Sequence, residues 1–222
     1  SFHTPLALND FLSTNTKPSR DWLLDTPVER IERLRDYQRN AITAIESGIL
    51  SRKRYLFVAM ATGTGKTYMT VAQIYRLLES KLARRVLFLV DRKALAAQAV
   101  REFASFRTPH GNKFNQEYEV FSQRFQREDF GDDQPFDPKV LPNEYLTNPK
   151  PSHTFVYVST IQRMTINLLG RQGAFPQKPD DPDYEDDADK LDIPIHAFDV
   201  IIADECHRGY TVQETSILCR GN

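Results

Sequence analysis

The stretch "MATGTGKT" (60–67) decides how the rest of this sequence is interpreted. Its glycines, Gly63 and Gly65, let the backbone turn tightly and approach an anion without a Cβ collision. The pattern usually written for such a loop, G-x-x-x-x-G-K-[ST], has a glycine where this chain has Met60. Met60 lies at the end of an apolar run, where an apolar residue can serve. We therefore interpret the stretch as a complete phosphate-binding loop.

The neighbours of the loop support this interpretation. "YLFVAM" (55–60) is a short apolar run that predicts a buried strand, and "TYMTVAQIYRLLES" (67–80) has the periodicity of a helix. A loop between a strand and a helix directs backbone amides and the positive end of the helix at an anion. A plain turn would rarely have both neighbours.

Short apolar runs alternate with helical patterns along the chain. Strands are predicted at 86–91, 117–122, 154–159 and 198–204, and helices at 35–50, 93–106 and 160–170. This alternation predicts an α/β fold, a mostly parallel sheet with helices on both faces. The predicted domain covers residues 31–222, interrupted by insertions at 107–152 and 170–197, and residues 1–30 are interpreted as a linker or lead-in from an upstream domain.

Composition excludes several classes of protein. The 222 residues carry a net charge of −1, so any nucleic-acid surface must be a local patch. Two cysteines are too few for a disulfide scaffold and fit a reducing cytoplasm. No apolar run approaches the roughly 20 residues of a membrane span, so no membrane association is expected. The chain lacks an initiating Met, and we expect it to be an excerpt of a longer protein.

A second motif, the acidic stretch "VIIADECHRGY" (200–210), complements the phosphate loop. A predicted strand ends in two adjacent carboxylates, Asp204 and Glu205. Asp204 is placed to hold Mg²⁺, together with the Thr67 hydroxyl, and Glu205 is placed to deprotonate an attacking water. Lys66 would place its ammonium on the β and γ phosphates of the nucleotide. The alternative is a solvated strand terminus.

In order, "LRDYQ" (34–38), "MATGTGKT", "LFLVDRKALAAQ" (87–98), "STIQRM" (159–164) and "IIADECHRGY" span most of the chain. This set resembles the first RecA-like motor domain of the R (HsdR-type) subunit of type I restriction endonucleases, within the superfamily 2 helicases and translocases. The resemblance implies a P-loop NTPase fold and an ATP-dependent DNA translocase that moves double-stranded DNA before cleavage. It also implies ATP and Mg²⁺ as cofactors, and methyltransferase and specificity subunits as partners.

The resemblance also assigns roles to individual residues. Gln38, with Arg35, would read the adenine edge, and His207 would couple the nucleotide site to later motifs. The phosphate loop would contribute Thr62, Gly63, Thr64, Gly65, Lys66 and Thr67. The nucleic-acid backbone would contact Arg92, Lys93, Ser159, Thr160 and Gln162. Ordinary alternatives are a surface glutamine, a solvated basic helix cap and helix capping by Ser159 or Thr160.

Two other hypotheses for the function of the chain remain. One is another superfamily 2 helicase or remodelling ATPase acting on DNA or RNA, and the other is a non-catalytic nucleotide- or DNA-binding module. The acidic stretch "DDPDYEDDADKLD" (180–192) is interpreted as a flexible, solvated insertion whose charge keeps it away from DNA. The second RecA-like domain and a nuclease domain are absent from the sequence, so we expect half of an ATP site and little activity from this fragment alone.

Overall fold

Five parallel strands form the sheet of this protein, for which a computed structural model describes residues 16–125, 138–174, 183–185 and 187–204. The described chain divides into two compact units. The sheet unit comprises Arg84–Arg101 and the described part of Tyr118–Asn222. The loop unit, which carries the phosphate loop, comprises the described part of Asn15–Ala83 together with Glu102–Glu117.

The strands of the sheet unit are β1 (Arg85–Val90), β2 (Glu119–Ser122), β3 (Lys139–Val140), β4 (Phe155–Thr160) and β5 (Val200–Ala203). Their order across the sheet is β3-β2-β4-β1-β5, and every pair is parallel. The two longest strands, β1 and β4, are buried at every residue. Continuous burial explains why residues 86–90 of β1 and 155–158 of β4 are apolar without alternating. The sheet confirms the predicted α/β fold class.

Most helices of the described chain begin and end close to their predicted bounds. They are α1 (Lys17–Asp25), α2 (Asp36–Leu50), α3 (Lys66–Glu79), α4 (Lys93–Ser105), α5 (Phe114–Glu117), α6 (Asn143–Thr147) and α7 (Ile161–Leu169). Short 3-10 helices span Val28–Arg30 and Arg171–Gly173. Gly170 ends α7 with a φ of 80°, a conformation that favours glycine.

Each unit has its own apolar core. In the sheet unit, a buried cluster joins residues of β1, β2 and β4 to α6 and α7, namely Leu87, Leu89, Phe121, Leu141, Leu146, Phe155, Tyr157 and Met164. In the loop unit, the rings of Phe103, Phe106 and Phe114 pack together, and Tyr75 of α3 lies against the last two. The cores position the ends of β1 and β4 in one unit and the start of α3 in the other.

A buried ion pair connects α2 and α3 in the loop unit. Arg76 donates to both carboxylate oxygens of Glu46, at 2.7 and 2.9 Å, and both side chains are at least 94% buried. Arg76 also donates to the carbonyl of Thr26 at 2.8 Å and lies over the ring of Trp22. The same guanidinium therefore holds α1 and the chain that follows it.

The strand predicted at 55–60 is wrong. These residues form no strand, and Tyr55 and Phe57 are 62% and 80% exposed. Leu56 lies against Gly48 of α2, where a Cβ would come within 2.5 Å of it. An apolar composition favours a strand, but a strand also requires a hydrogen-bonding neighbour, which composition does not supply.

The interpretation of residues 180–192 as a solvated insertion is wrong at Glu185 and Ala188, although Asp187, Asp189 and Asp192 are exposed as it expected. Glu185 is 1% exposed and Ala188 is fully buried. Hydrogen bonds from the sheet unit hold this stretch, because carboxylates buried beside cationic and hydroxyl donors find the partners they need. The local density of charge predicted that this stretch is solvated, whereas hydrogen-bond partners distant in sequence determine which of its residues are buried.

Candidate functional site

The phosphate loop has the backbone geometry that its glycines permit. Gly63 and Gly65 have φ values of 73° and 72°, in the left-handed region that costs other residues energy. The Thr64 hydroxyl donates to the carbonyl of Ala61 at 2.7 Å and closes the turn between the two glycines. Gly65 is the cap residue from which the 14-residue helix α3 begins.

The start of α3 can accept a phosphate. Lys66 and Thr67 are its first two residues, so their backbone amides lie in the first turn, where the helix dipole favours negative charge. A Cβ added to Gly63 would meet no atom within 4 Å, so one side of the loop is open. An ammonium, a hydroxyl and first-turn amides beside an open loop fit the phosphates and metal ion of a nucleotide. Thr62 and Gly63 are exposed, and Lys66 and Thr67 are half-buried.

Two residues at the start of α2 hold this loop from one side. The Tyr37 hydroxyl donates to the carbonyl oxygen of Thr64 at 2.9 Å. The Gln38 side-chain Nε2 donates to the carbonyls of Thr64 and Gly65, both at 3.0 Å. Two consecutive loop carbonyls thus bond to α2. From the sequence, no contact was predicted for Tyr37, although its position beside Gln38 was an available signal.

The amide of Gln38 has protein partners at both ends. Its Oε1 accepts from the backbone N–H of Arg35 at 2.9 Å, and the residue is 4% exposed. The Arg35 guanidinium donates to the Tyr37 hydroxyl at 3.0 Å. The structure therefore brings Arg35, Gln38, Thr64 and Gly65 together, as their predicted common site requires. Adenine recognition by Gln38 stays a prediction.

Asp204 follows β5 in the sheet unit. Its backbone N–H donates to the carbonyl of Leu89 at 2.8 Å, which continues the pairing of β5 with β1, and the residue is half-buried. Glu205 and His207 lie outside the described residues. Asp204 and the phosphate loop belong to different units.

The residues predicted to contact nucleic acid lie at the carboxyl ends of β1 and β4. These strands pair in parallel with Leu89 opposite Ser159 and Val90 opposite Thr160, so both ends reach the same edge of the sheet. Arg92 is 48% exposed and lies 3.9 Å from Asp91. Gln162 is half-buried in the first turn of α7, whereas Lys93, Ser159 and Thr160 are all buried.

The burial of these polar residues has a specific cause. Glu185 accepts from Thr160 Oγ1 at 2.9 Å and from Gln123 Nε2 at 2.8 Å. Arg163 Nη1 lies 3.4 Å from Glu185 and 2.5 Å from Asp187. Sequence reasoning missed this cluster, because a run of carboxylates does not indicate which of them finds a partner.

The electrostatics of this cluster favour a charged arginine. Burial acts to lower the pKa of Arg163, but the hydrogen bond and charge of Asp187 and the charge of Glu185 act to raise it, and the net pKa is raised. Burial raises the pKa of the Tyr157 hydroxyl, so this tyrosine stays neutral. A permanent cation thus lies beside the carboxyl end of β4, where an anion can be bound.

Two further observations concern metals and membranes. Within the ranges described above, no three His, Cys, Asp or Glu side chains group as metal ligands would. Over the same ranges, no helix has both the length and the apolar character that crossing a membrane requires.

Comparisons with known proteins agree on one group of relatives. The chain is 30% identical over 213 residues to the Type I restriction enzyme EcoKI endonuclease subunit of Escherichia coli (strain K12), covering 96% of this chain and 15% of that protein. It is 27% identical over 187 residues to the EcoAI endonuclease subunit of Escherichia coli, covering 82% and 17%. The SsaAORF53P endonuclease subunit of Staphylococcus saprophyticus is 26% identical over 208 residues, with 90% and 18% covered.

A likeness in three dimensions is weaker. A solved structure of a nuclease-deletion mutant of the Type ISP restriction-modification enzyme LlaGI, in complex with a DNA substrate mimic, superposes with a TM-score of 0.42. The sequence identity is 23%, and the match covers 79% of this chain and 15% of that one.

The family assignment comes from the sequence as a whole. The model of the ResIII family, described as "Type III restriction enzyme, res subunit", matches residues 31–218. That range contains both nucleotide motifs and the strand ends between them. This chain spans about 15% to 18% of the length of the curated relatives that it matches. The chain therefore belongs to the ResIII family of restriction-enzyme res subunits, and type I restriction endonuclease subunits are among its relatives.

Proposed function

We propose that residues 31–222 are the first RecA-like domain of an ATP-driven DNA translocase, the motor of a type I restriction enzyme R subunit. The observation that carries the proposal is the phosphate loop, with two left-handed glycines directly before a 14-residue helix that begins with Lys66 and Thr67. Membership of the ResIII family supports nucleoside triphosphate binding by this loop. The whole protein would hydrolyse ATP to move double-stranded DNA before cleavage.

Each residue of the nucleotide site has a distinct role in this proposal. Lys66 binds the β and γ phosphates, and the first-turn amides of α3 bind the same anion. Thr67 and Asp204 would each supply an oxygen ligand to Mg²⁺, which would neutralise charge on the phosphates. Glu205 accepts a proton from the attacking water, and His207 relays the state of the site to later motifs.

Adenine recognition belongs to the start of α2. A side-chain amide offers one donor and one acceptor, which match N7 and N6 of adenine. Gln38 would exchange part of its contact with Thr64 and Gly65 for the base, with Arg35 assisting. This exchange favours ATP over GTP.

Contacts with DNA belong to the carboxyl ends of β1 and β4. Arg92, Lys93, Ser159, Thr160 and Gln162 offer cationic, hydroxyl and amide donors to phosphates. Contacts of this kind position a nucleic acid without reading its bases, as a motor that moves along any sequence requires. Methyltransferase and specificity subunits would be its partners in the cytoplasm, where its DNA is found.

The experiment is steady-state ATP hydrolysis by the full-length protein with and without duplex DNA. We expect DNA to stimulate hydrolysis. Lys66→Ala should abolish the stimulated rate, and Glu205→Gln should retain ATP binding while losing hydrolysis. Lys53→Ala, a change of the same kind outside the loop, serves as the control. A stimulated rate that survives Lys66→Ala would exclude the proposed phosphate site.

A second measurement separates this proposal from a helicase or remodelling ATPase. Displacement of a third strand from a triplex reports movement along intact duplex, and strand release from a forked duplex reports unwinding. We expect ATP-dependent triplex displacement without strand release. Strand release would favour the helicase alternative. A full-length protein with no ATP hydrolysis at all would favour a non-catalytic binding module.

A further inference from the structure

Four residues of the acidic stretch, Asp183, Tyr184, Glu185 and Asp187, form what we term the acidic strap. Its polar atoms bond to the carboxyl ends of β2 and β4 and to the starts of α4 and α7 in the sheet unit. Two of the donors they bond to, Lys93 and Thr160, are among those proposed above to bind DNA phosphates.

The first contact is at the start of α4. A carboxylate oxygen of Asp183 accepts the backbone N–H of Lys93, the first residue of this 13-residue helix, at 2.8 Å. The carbonyl of Tyr184 accepts from Lys93 Nζ at 2.6 Å. An anion at a helix N-terminus with a lysine ammonium beside it is the arrangement expected for a phosphate. Here the strap supplies the anion.

The second contact is at the start of α7. Glu185 accepts from Thr160 Oγ1 at 2.9 Å, and Arg163 Nη1 bonds to Asp187 at 2.5 Å. Asp183, Glu185 and Asp187 thus each place a carboxylate on a donor of the sheet unit. The strap therefore presents several anionic groups, as a nucleic-acid backbone does.

Beyond the strap, the chain is held by neutral contacts that would survive its release. Asn167 Nδ2 donates to the carbonyl of Asp189 at 2.6 Å, and the backbone N–H of Leu191 donates to the carbonyl of Asn167 at 2.7 Å. Ala188 is fully buried between these two sets of contacts. Replacement of the carboxylates by phosphates therefore does not require the following chain to unfold.

We propose that the acidic strap is an autoinhibitory segment that occupies the DNA-backbone positions of Lys93 and Thr160, pairs with the neighbouring Arg163 and is displaced when DNA binds. This inference rests on the proposed function, because it takes the DNA contacts at β1 and β4 as given. Carboxylate and phosphate oxygens compete for the same N–H and O–H donors. Duplex DNA carries many such phosphates and can replace several carboxylates at once.

The test compares two charge-matched variants of the full-length protein. Asp183→Asn with Asp187→Asn removes two charges from the strap. Glu119→Gln with Glu144→Gln removes two charges from exposed ion pairs of the same unit, with Lys139 at 3.4 Å and Lys150 at 3.8 Å. Binding of a labelled random-sequence duplex is measured by fluorescence anisotropy at several salt concentrations, after thermal unfolding has shown that each variant is folded.

We expect the strap variant to lower the Kd for duplex by about tenfold relative to the unaltered protein at low salt, and the control by less than about twofold. The dependence of log Kd on log salt should steepen by about one ion in the strap variant. Equal affinity of the two variants would overturn the proposal. Adding Lys93→Ala to the strap variant should remove much of the gain, and a gain that persists in full would also overturn it.

Failure of the strap and failure of the proposed function give different results. DNA-stimulated ATP hydrolysis by the unaltered protein, with a strap variant that binds no better than the control, rejects only the strap. Absence of stimulated hydrolysis in the unaltered protein and in both variants rejects the motor and, with it, the strap.

Discussion

The Tyr37 hydroxyl donates to the carbonyl of Thr64, one of the two loop carbonyls that α2 holds. Tyr37→Phe removes only this donor and leaves the ring. A hydrogen bond of this kind contributes about 0.5–1.5 kcal/mol. We expect the KM for ATP to rise by about threefold to tenfold, because the loop is less well positioned for phosphate, while kcat changes little.

Steady-state ATP hydrolysis by the full-length protein with saturating DNA checks this expectation. Tyr55→Phe is the matched control, since Tyr55 is 62% exposed and remote in sequence from the contact. An unchanged KM in Tyr37→Phe would show that the Gln38 amide alone is sufficient to position the loop.

Gly63 and Gly65 have the same left-handed φ but different surroundings. A Cβ at Gly65 would lie 2.8 Å from Gln38 Nε2, whereas a Cβ at Gly63 would meet no atom within 4 Å. Both changes to alanine carry the left-handed cost of about 1–2 kcal/mol, and only Gly65→Ala also displaces Gln38. We expect Gly65→Ala to lower the free energy of unfolding more than Gly63→Ala. Urea unfolding without nucleotide measures the difference, and equal losses would exclude a close Gln38 contact.

At the scale of elements, the Arg76–Glu46 pair joins α2 to α3. Removing one partner leaves a buried charge unpaired, which costs about 3–5 kcal/mol. Arg76→Met should therefore lower the free energy of unfolding by about that amount. Arg76→Met combined with Glu46→Leu should recover much of the loss, because neither charge then remains buried.

Urea unfolding followed by circular dichroism gives these free energies. Lys150→Met breaks an exposed pair with Glu144 and should change the free energy of unfolding by less than about 0.5 kcal/mol. If Arg76→Met were as mild as this control, the pair would not hold the helices together.

The elements show which features were predictable from sequence. Strands β1 and β4 and helices α2, α3, α4 and α7 agree with prediction to within one or two residues, since apolar runs, helical periodicity and glycines are local signals. Helix α1 was missed although Pro18 in its first turn is a helix-start signal. The segment at 55–60 was mispredicted because strand pairing depends on a distant partner.

In the site, too, local features were predictable from sequence and long-range contacts were not. The two loop glycines were predictable, because a turn around a phosphate needs left-handed residues at those positions. The bonds from Tyr37 to Thr64 and from Thr160 to Glu185 were not, since they join residues 27 and 25 positions apart. Neither spacing has a periodicity that a sequence pattern would reveal.

For the molecule as a whole, buried tyrosines predict sensitivity to alkali. Burial raises the pKa of Tyr68, Tyr75 and Tyr157 above their ordinary value. A group whose pKa is raised in the folded state contributes full stability below its unfolded pKa, which is about 10 for tyrosine. The free energy of unfolding should therefore fall as pH rises above about 10. Urea titrations between pH 8 and 11 test this, and a constant value would contradict it.

The exposed residues Tyr55 to Val58 also affect how this chain behaves at high concentration. An exposed, uncharged, aromatic and apolar segment can pair as a strand with other copies, and so promotes aggregation. Arg52, Lys53 and Arg54 precede it directly and act as gatekeepers, because like charges repel neighbouring copies. Salt of about 0.15 M screens such charges beyond about 8 Å. The chain should therefore stay dispersed best in buffers of low ionic strength, and raised salt should bring on turbidity.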